Sequence, residues 1–328
     1  MKIDNYKIPV IDISPLINNG EASSVAKQIK AACFSHGFFY VSNHGVSETL
    51  QNELEELSHV FFQLSMKEKM KISMSKGGRA WRGFFPVGDE LTSGRPDQKE
   101  GIYFGTELDE SHPKVQADIP LHGKNLFPKK PGKLGKIVLE YIEQVAKVGH
   151  AILRAIALSL ELPSVYFEAS ITKNPFILFR IFHYPNQEAK PDVWGVGEHT
   201  DYGLLTILKQ DTVGGLQVKS NGKWIDAPPI PNTFICNIGD MLDRMTGGVY
   251  RSTPHRVLNT SGKNRLSFPL FFDPDFDAHV KPIETIIAKG RCISDRWDNE
   301  DVYNFEGPYG DYLIKKVSRV FPNLIGKL

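Results

Sequence analysis

The sequence predicts a mainly β fold with supporting α-helices, in which a double-stranded β-helix, or jelly roll, is flanked by helices. The first observation behind this prediction is a series of short apolar runs, which cover residues 176 to 182, 204 to 208, 216 to 218, 233 to 238, 255 to 258 and 266 to 272. The second is the turn-prone text between these runs, such as residues 213–215, 220–222 and 228–232. Short strands at even spacing, separated by Gly, Pro and Asn, are typical of a two-sheet jelly roll.

The third observation is a helical repeat of apolar residues in the first part of the chain. Ser23 or Ser24 can cap a helix with one apolar side, made of Val25, Ile29, Ala32 and Cys33, and Gly37 can end it. Ser47 can cap a second helix with apolar residues at 50, 54, 57, 61 and 64, and Ser65 to Glu68 has the form of a capping box. Residues 38–41 between the first two helices predict a buried strand. We interpret His36, His44 and His59, in or beside these elements, as structural.

The longest periodic pattern runs from about Leu134 to Leu160 and predicts a helix that packs across the β core. Its apolar stripe is Ile137, Tyr141, Val145, Val148, Ile152 and Ile156. Pro163 ends the pattern, because proline removes a backbone donor and clashes with the preceding helical turn.

These elements predict one compact unit over residues 1–328. We expect an N-terminal supporting region at 1–130, a long-helix region at 131–170, the jelly-roll core at 171–280 and a C-terminal tail at 281–328. A chain of 328 residues that is 41% hydrophobic can bury a large core of this kind.

Charge and cysteine content narrow the classes of partner. A formal net charge of +1 gives no reason to expect nucleic acid or a membrane surface, so we expect a small-molecule substrate and no obligate protein partner. The three cysteines, at 33, 236 and 292, fit neither a disulfide framework nor a zinc cluster and favour a reducing compartment. The N-terminus has no apolar signal region and no run approaches 18 apolar residues. We therefore predict a cytoplasmic protein.

A stretch rich in Gly, Pro and charge, from about Gly77 to Lys130, is predicted to form a long connection. Such connections in compact proteins are often functional. Arg82, Tyr103 and Phe104 are our candidate substrate contacts within it, against the alternative of a surface arginine and packed aromatics. We expect His112 and His122, in Pro-flanked polar loops, to be exposed.

A metal site is predicted where His199 and Asp201 precede the apolar run at 204–208. Side chains two apart in a strand share one face, about 6.6 Å apart along the backbone. His255, at the head of another apolar segment, is the best placed third ligand. Two His and one carboxylate with open coordination positions are the set used by non-heme Fe(II) oxygenases. A His-x-Asp pair is weak evidence alone, and the surrounding residues must support it.

An anion site is predicted ten residues later, where Arg265 and Ser267 form another pair with one residue between them. A guanidinium matches a carboxylate with two parallel hydrogen bonds, and a neighbouring hydroxyl can add a third. A buried arginine without an anion would be costly. The pair therefore suits an anionic co-substrate with a distal carboxylate.

Together these motifs resemble the 2-oxoglutarate- and Fe(II)-dependent dioxygenases of the isopenicillin N synthase-like family, which includes many plant and microbial enzymes of specialised metabolism. The matching text is Arg180 to Pro185, Gly197 to Leu208, Val213 to Val218, Gly222 to Ile225, Asn237 to Asp240, Tyr250 to Val257 and Arg265 to Ser267. Residues 8–12 and 37–46 also look like that family. The match covers most of the chain in the right order.

The resemblance implies a role for each matching residue. His199, Asp201 and His255 would be the iron ligands, while Arg265 and Ser267 would hold the far carboxylate of 2-oxoglutarate. Tyr184 would be a further contact to the co-substrate. Many relatives have Asn two positions before that tyrosine, where this chain has Phe182, which changes the polar wall of the pocket and leaves the iron ligands untouched.

The leading hypothesis is an oxygenase that uses Fe(II), 2-oxoglutarate and O2, with ascorbate as a candidate reductant, to oxidise an unactivated C–H bond of a small organic molecule. The resemblance implies hydroxylation, desaturation, demethylation or oxidative cyclisation, with release of succinate and CO2. Two alternatives stay open. One is a 2-oxoglutarate-independent Fe(II) oxidase similar to isopenicillin N synthase or aminocyclopropane carboxylate oxidase, and the other is a non-catalytic ligand-binding jelly roll.

Overall fold

Two β-sheets face each other across a cavity. The computed structural model describes residues 7–186, 194–220, 222–259, 261–288, 298 and 302–321. The strands are β1 (Val10–Asp12), β2 (Phe38–Ser42), β3 (Gly83–Phe85), β4 (Leu91–Thr92), β5 (Arg95–Pro96), β6 (Glu100–Gly105), β7 (Phe176–Tyr184), β8 (Val196–His199), β9 (Leu205–Gln210), β10 (Leu216–Ser220), β11 (Lys223–Asp226), β12 (Thr233–Ile238), β13 (His255–Val257) and β14 (Arg265–Asp273).

The helices lie mainly before and after the core. They are α1 (Ser14–Ile17), α2 (Ser23–Ser35), α3 (Glu48–Phe62), α4 (Met66–Lys69), α5 (Pro113–Gln116), α6 (Leu134–Ser159), α7 (Tyr166–Ser170), α8 (Asp240–Thr246), α9 (Glu284–Ile287) and α10 (Tyr309–Val320), with three short 3₁₀ turns between residues 70 and 80. No helix within the described ranges is both long and apolar enough to cross a membrane.

The larger sheet has eight strands in the order β1-β2-β12-β9-β14-β7-β6-β3, and the smaller has the order β11-β10-β13-β8. All pairs in these sheets are antiparallel except the parallel pair of β1 and β2. The predicted jelly roll flanked by helices is confirmed. The first 130 residues also supply β1, β2, β3 and β6, which extend the larger sheet at both ends.

The long helix α6 packs on the face of the larger sheet that points away from the cavity. The rings of Tyr141 and Phe179 lie 5.1 Å apart, and a Cβ on Gly149 would come within 2.4 Å of the Phe272 ring. Side chains alternate along a strand, so the neighbours of Phe179 and Phe272 face the cavity instead. The helix thereby holds the sheet in position behind the site.

The predicted helix starts are largely confirmed. The Ser47 hydroxyl accepts a hydrogen bond from the Leu50 backbone N–H at 3.3 Å, and Ser65 does the same for Glu68. Helix α2 begins at Ser23 without a side-chain cap. The expected exposure of His122 is wrong: the side chain is buried and its ring lies 4.7 Å from that of Phe276.

Candidate metal and anion site

Strand pairing brings the two predicted histidine ligands together. Strands β8 and β13 are antiparallel, and His255 lies directly opposite His199, with the ring centroids 4.2 Å apart. Asp201 follows β8, and its Oδ1 lies 3.9 Å from Nε2 of His199 and 3.8 Å from Nε2 of His255. One ligand atom from each residue lies within 4.8 Å of the others. Two imidazole nitrogens and one carboxylate oxygen form a donor set that fits Fe(II) with open positions.

Backbone carbonyls fix the orientation of both rings. Nδ1 of His199 lies 2.8 Å from the carbonyl oxygen of Gly197, and Nδ1 of His255 lies 3.1 Å from that of Thr253. A carbonyl only accepts hydrogen bonds, so Nδ1 carries the proton and Nε2 keeps its lone pair for a metal. Burial, and then the neighbouring His255, lower the pKa of His199 to about 4. The imidazole is therefore neutral at neutral pH, as a ligand must be.

Gly37 helps to position the loop that leads to His255. Its φ of +65° is one that glycine adopts readily, and a Cβ there would lie 2.6 Å from both the Arg251 carbonyl oxygen and the Thr253 hydroxyl. The end of α2 can therefore approach this loop only because residue 37 has no side chain.

The second oxygen of Asp201 is occupied by neighbours. Asn237 and Thr206 are paired across β12 and β9, and the Asn237 amide and the Thr206 hydroxyl each donate to Oδ2 at 2.6 Å. This leaves Oδ1 for a metal. Burial opposes ionisation, but electrostatic interaction with the neighbouring His255 and His199 and the two hydrogen bonds hold the pKa of Asp201 below its ordinary value. Sequence reasoning assigned Asn237 and Thr206 no such role, although both lie in the segments that carry the family resemblance.

The predicted anion site lies on the larger sheet. Arg265 and Ser267 alternate onto the cavity side of β14, and Arg265 is paired with Tyr184 of β7. The guanidinium carbon lies 4.6 Å from the Tyr184 ring centroid. Arg265 has no exposed surface, and none of its three side-chain nitrogens has a hydrogen-bond partner among the described residues. A buried, unsatisfied guanidinium is unfavourable, so this site suits the carboxylate of a bound anion.

A charged cluster stands beside Phe182, the residue that replaces the usual asparagine. The Lys99 ammonium lies 4.9 Å from the Phe182 ring centroid, forms an ion pair with Glu90 at 2.8 Å and contacts Asp97. Thr92 donates to Asp97 at 2.6 Å. Part of the polar wall of the cavity thus comes from the β4–β5 hairpin region. This region lies within the predicted functional connection at 77–130, but Glu90 and Lys99 were not among the candidate residues there, because no repeat or motif marks them.

One cavity of about 310 Å³ connects these groups. Its lining includes the three metal-site residues, the predicted anion site and one side of α10, from Leu313 to Val320. Of the candidate substrate contacts, Tyr103 lies behind the lining and donates to Glu90 at 2.5 Å. Phe104 is fully buried against Phe127 and Phe179, and Arg82 donates to the Leu121 carbonyl at 3.1 Å. The structure brings neither Phe104 nor Arg82 into the cavity wall.

Comparison with known proteins points to one superfamily. The family model described as the non-haem dioxygenase in morphine synthesis N-terminal region matches residues 8–130, and that of the 2OG-Fe(II) oxygenase superfamily matches residues 175–274. A probable iron/ascorbate oxidoreductase of Dictyostelium discoideum is 49% identical, with 98% of each chain covered.

Two further relatives carry more specific names. A 1-aminocyclopropane-1-carboxylate oxidase of Dictyostelium mucoroides is 42% identical over 100% of this chain and 98% of its own, and a homoarginine-6-hydroxylase of Glycine max is 37% identical over 99% and 100%. Among solved structures, a full-length Neurospora crassa protein in complex with alpha-KG and thymine has a TM-score of 0.79 at 26% identity, with 97% of this chain and 98% of that chain covered.

Proposed function

Because this chain belongs to the 2OG-Fe(II) oxygenase superfamily, we propose that His199, Asp201 and His255 hold its iron and that Arg265, Ser267 and Tyr184 hold 2-oxoglutarate. The protein is a 2-oxoglutarate- and Fe(II)-dependent oxygenase. The observation that carries the residue assignment is that one cavity is lined both by the converged His-Asp-His set and by a fully buried guanidinium that has no partner among the described residues.

The chain positions the reactants and controls their charge. When bound, iron and 2-oxoglutarate supply the activation of O2, and the protein supplies geometry. The carbonyls of Gly197 and Thr253 keep both imidazoles in one tautomer, and Asn237 and Thr206 keep one oxygen of Asp201 directed at the metal. Arg265 would neutralise the distal carboxylate, away from bulk water. The cavity would keep the substrate C–H close to the metal and limit competing reactions.

We propose that the substrate is a free amino acid, bound within this cavity as a small molecule. Two kinds of relative that align over nearly the whole chain are named for an amino acid: 1-aminocyclopropane-1-carboxylate and homoarginine. The cavity lining carries both acidic and basic side chains, among them Glu90, Lys99 and Arg180, which a zwitterion can use. The volume of about 310 Å³ is in the range of small-molecule sites and has to hold the substrate together with 2-oxoglutarate, which favours a small substrate.

The test is a screen of amino acids, including L-homoarginine and 1-aminocyclopropane-1-carboxylate, by succinate release from the iron-loaded enzyme. We expect at least one amino acid to raise succinate formation in step with its own oxidation. Failure of every amino acid, combined with stimulation by an uncharged compound such as thymine, would reject the amino-acid class. Failure to bind or consume 2-oxoglutarate with any compound would reject the role of Arg265.

The second candidate is an oxidase that needs no 2-oxoglutarate, in which Arg265 and Ser267 bind a different carboxylate. The 42% identity to 1-aminocyclopropane-1-carboxylate oxidases favours it. Oxidation of 1-aminocyclopropane-1-carboxylate with O2 and ascorbate, at a rate that 2-oxoglutarate does not change, would support this candidate over the first.

We also propose a cytoplasmic location. Cys33 and Cys236 are both buried free thiols in the structure, which is in keeping with a reducing compartment. Separation of cell extracts, followed by detection of the protein in the soluble and the membrane fractions, would test the proposal. Recovery from a sealed organelle would contradict it.

A further inference from the structure

A second arginine, Arg180, lines the same cavity and has no role in the iron or 2-oxoglutarate sites. It lies on the cavity side of β7 with a side chain that is 13% exposed. Its guanidinium carbon is 4.1 Å from the Tyr103 ring centroid and 4.7 Å from that of Phe271. Aromatic rings on a planar cation restrict its orientation and leave its edge for hydrogen bonding.

The hydrogen bonds of this guanidinium are incomplete. Nη1 reaches Oε1 of Glu90 only at 3.4 Å, and Nε is buried without a partner among the described residues. Glu90 is already engaged more closely elsewhere, because Tyr103 donates to Oε1 at 2.5 Å and Lys99 lies 2.8 Å from Oε2. Arg180 therefore makes only a weak hydrogen bond to Glu90 and keeps N–H donors available for another acceptor.

The position of Arg180 separates it from the predicted 2-oxoglutarate anchor. Arg265 is paired with Tyr184, which is four residues further along β7, or roughly 13 Å of strand. The two arginines therefore enter the cavity from different points along the sheet and can serve two different anionic groups. Strand pairing nevertheless places Arg180 at the metal end of the cavity. Thr206, which donates to Asp201, is paired with Phe271 on β14, and the Phe271 ring lies 4.7 Å from the guanidinium carbon of Arg180. A substrate group held by Arg180 would thus lie near the metal, beyond the predicted 2-oxoglutarate site.

We propose that Arg180 binds the carboxylate of the substrate and gives up its weak contact with Glu90 to do so. This inference rests on the proposed function, because it assigns one group of the proposed amino-acid substrate to one residue of the cavity. It makes the carboxylate a requirement for binding. It also predicts that the rest of the amino-acid side chain contributes less to selection than this one contact.

The test compares ligands that differ by one group, in enzyme loaded with Zn(II) and 2-oxoglutarate so that no turnover occurs. L-homoarginine carries both charged groups, its decarboxylated counterpart 5-guanidinopentylamine lacks the carboxylate, and 6-guanidinohexanoate lacks the α-amino group. Calorimetry gives Kd for each with the wild type, Arg180→Gln and Arg180→Lys. The control is Arg256→Gln, another stacked arginine, 3.9 Å from the Trp224 ring, that does not line the cavity.

We expect the wild type and Arg256→Gln to bind L-homoarginine at least about 30-fold more tightly than the decarboxylated amine, as for loss of one partner of a buried charged pair. Arg180→Gln should remove this preference, Arg180→Lys should keep part of it, and the Kd for 2-oxoglutarate should change less than about threefold.

Other results separate the two proposals. An undiminished preference in Arg180→Gln, or an equal loss of 2-oxoglutarate affinity, would overturn the role of Arg180 while leaving the amino-acid substrate in place. Binding of 6-guanidinohexanoate but of no amino acid, with dependence on Arg180, would retain this role and reject the amino-acid class. Absence of binding by every carboxylate in the wild type would overturn both.

Discussion

The two sheets that face the cavity differ in how far the polar groups of the site are hydrogen-bonded within the protein. On the smaller sheet and its flanking loop, each predicted metal ligand has its second polar atom already bonded within the protein. On the larger sheet, and among the described residues, Arg265 is buried with no such partner, and Arg180 has aromatic contacts but a single long hydrogen bond, at 3.4 Å. The metal ligands are therefore preorganised, whereas the buried positive charges of the two arginines need a bound anion to compensate them. Substitutions among the metal ligands and their neighbours should affect iron binding, whereas substitutions of the arginines should affect the binding of anions.

The largest effect is expected from removal of a metal ligand. His199→Ala should lower turnover to background and abolish stoichiometric iron binding, because two of three donors do not retain Fe(II) at an open site. Iron content after anaerobic loading and succinate release measure the two effects. His59→Ala on α3 is the matched control and should behave as wild type. Normal iron content in His199→Ala would remove this residue from the site.

Removal of the Arg265 guanidinium should weaken the binding of 2-oxoglutarate at the larger sheet and leave the metal site unaffected. Arg265→Met should raise the Kd for 2-oxoglutarate by at least about 30-fold while iron binding stays unchanged. Without 2-oxoglutarate the variant should be at least as stable as the wild type, because an uncompensated buried charge is gone. Thermal unfolding with and without 2-oxoglutarate tests both statements, with exposed Arg154→Met as control. A variant still stabilised by 2-oxoglutarate as strongly as the wild type would contradict the assignment.

A smaller effect is expected from removal of a hydrogen bond that orients a metal ligand. Thr206→Val removes one of the two hydrogen bonds to Oδ2 of Asp201 at nearly constant volume. Iron affinity should fall by roughly 10- to 100-fold, and the Kd for 2-oxoglutarate in zinc-saturated protein should stay the same. Thr233→Val on β12, whose hydroxyl bonds the Ile230 carbonyl, is the control. Equal iron affinity in both variants would show that Asp201 needs no support from Thr206.

The smallest expected effect is on the pH dependence of stability. Burial raises the pKa of Asp273, at the far end of β14, to about 7 from an ordinary value of 3.8. The folded protein then keeps a proton that the unfolded chain has released. The stability that this proton contributes is complete below about pH 4 and is lost as the pH rises through 7.

Asp273→Asn cannot ionise, so its free energy of unfolding should fall less than that of the wild type between pH 4 and pH 7. Urea unfolding at several pH values measures the difference, and exposed Asp118→Asn should follow the wild-type profile. Parallel profiles for wild type and Asp273→Asn would show that the carboxyl is already charged in the folded protein.

Sequence patterns could predict the fold and the centre of the site because both depend on local spacing. The helix at 134–159 follows from a 3.6-residue repeat, and the approach of His199 to Asp201 follows from two-residue spacing. The opposing position of His255 depends on strand register over more than fifty residues. Its place at the head of an apolar segment made it the best candidate for the third ligand, and the family resemblance supported that choice. The roles of Lys99 and Glu90 depend on how a hairpin folds over the sheet. Nothing in their spacing shows that contact. The burial of His122 against Phe276 likewise depends on tertiary packing, which its Pro-flanked sequence does not show.

One side of α10, including Leu313 and Val317, forms part of the cavity wall although it lies more than fifty residues after the last predicted metal ligand. The residues of the metal site and those of this wall therefore come from separate segments of the chain. Exchange of residues along α10 can alter which molecules enter, with the iron chemistry left intact. The part of molecular selection that depends on α10 can consequently evolve, or be engineered, separately from catalysis.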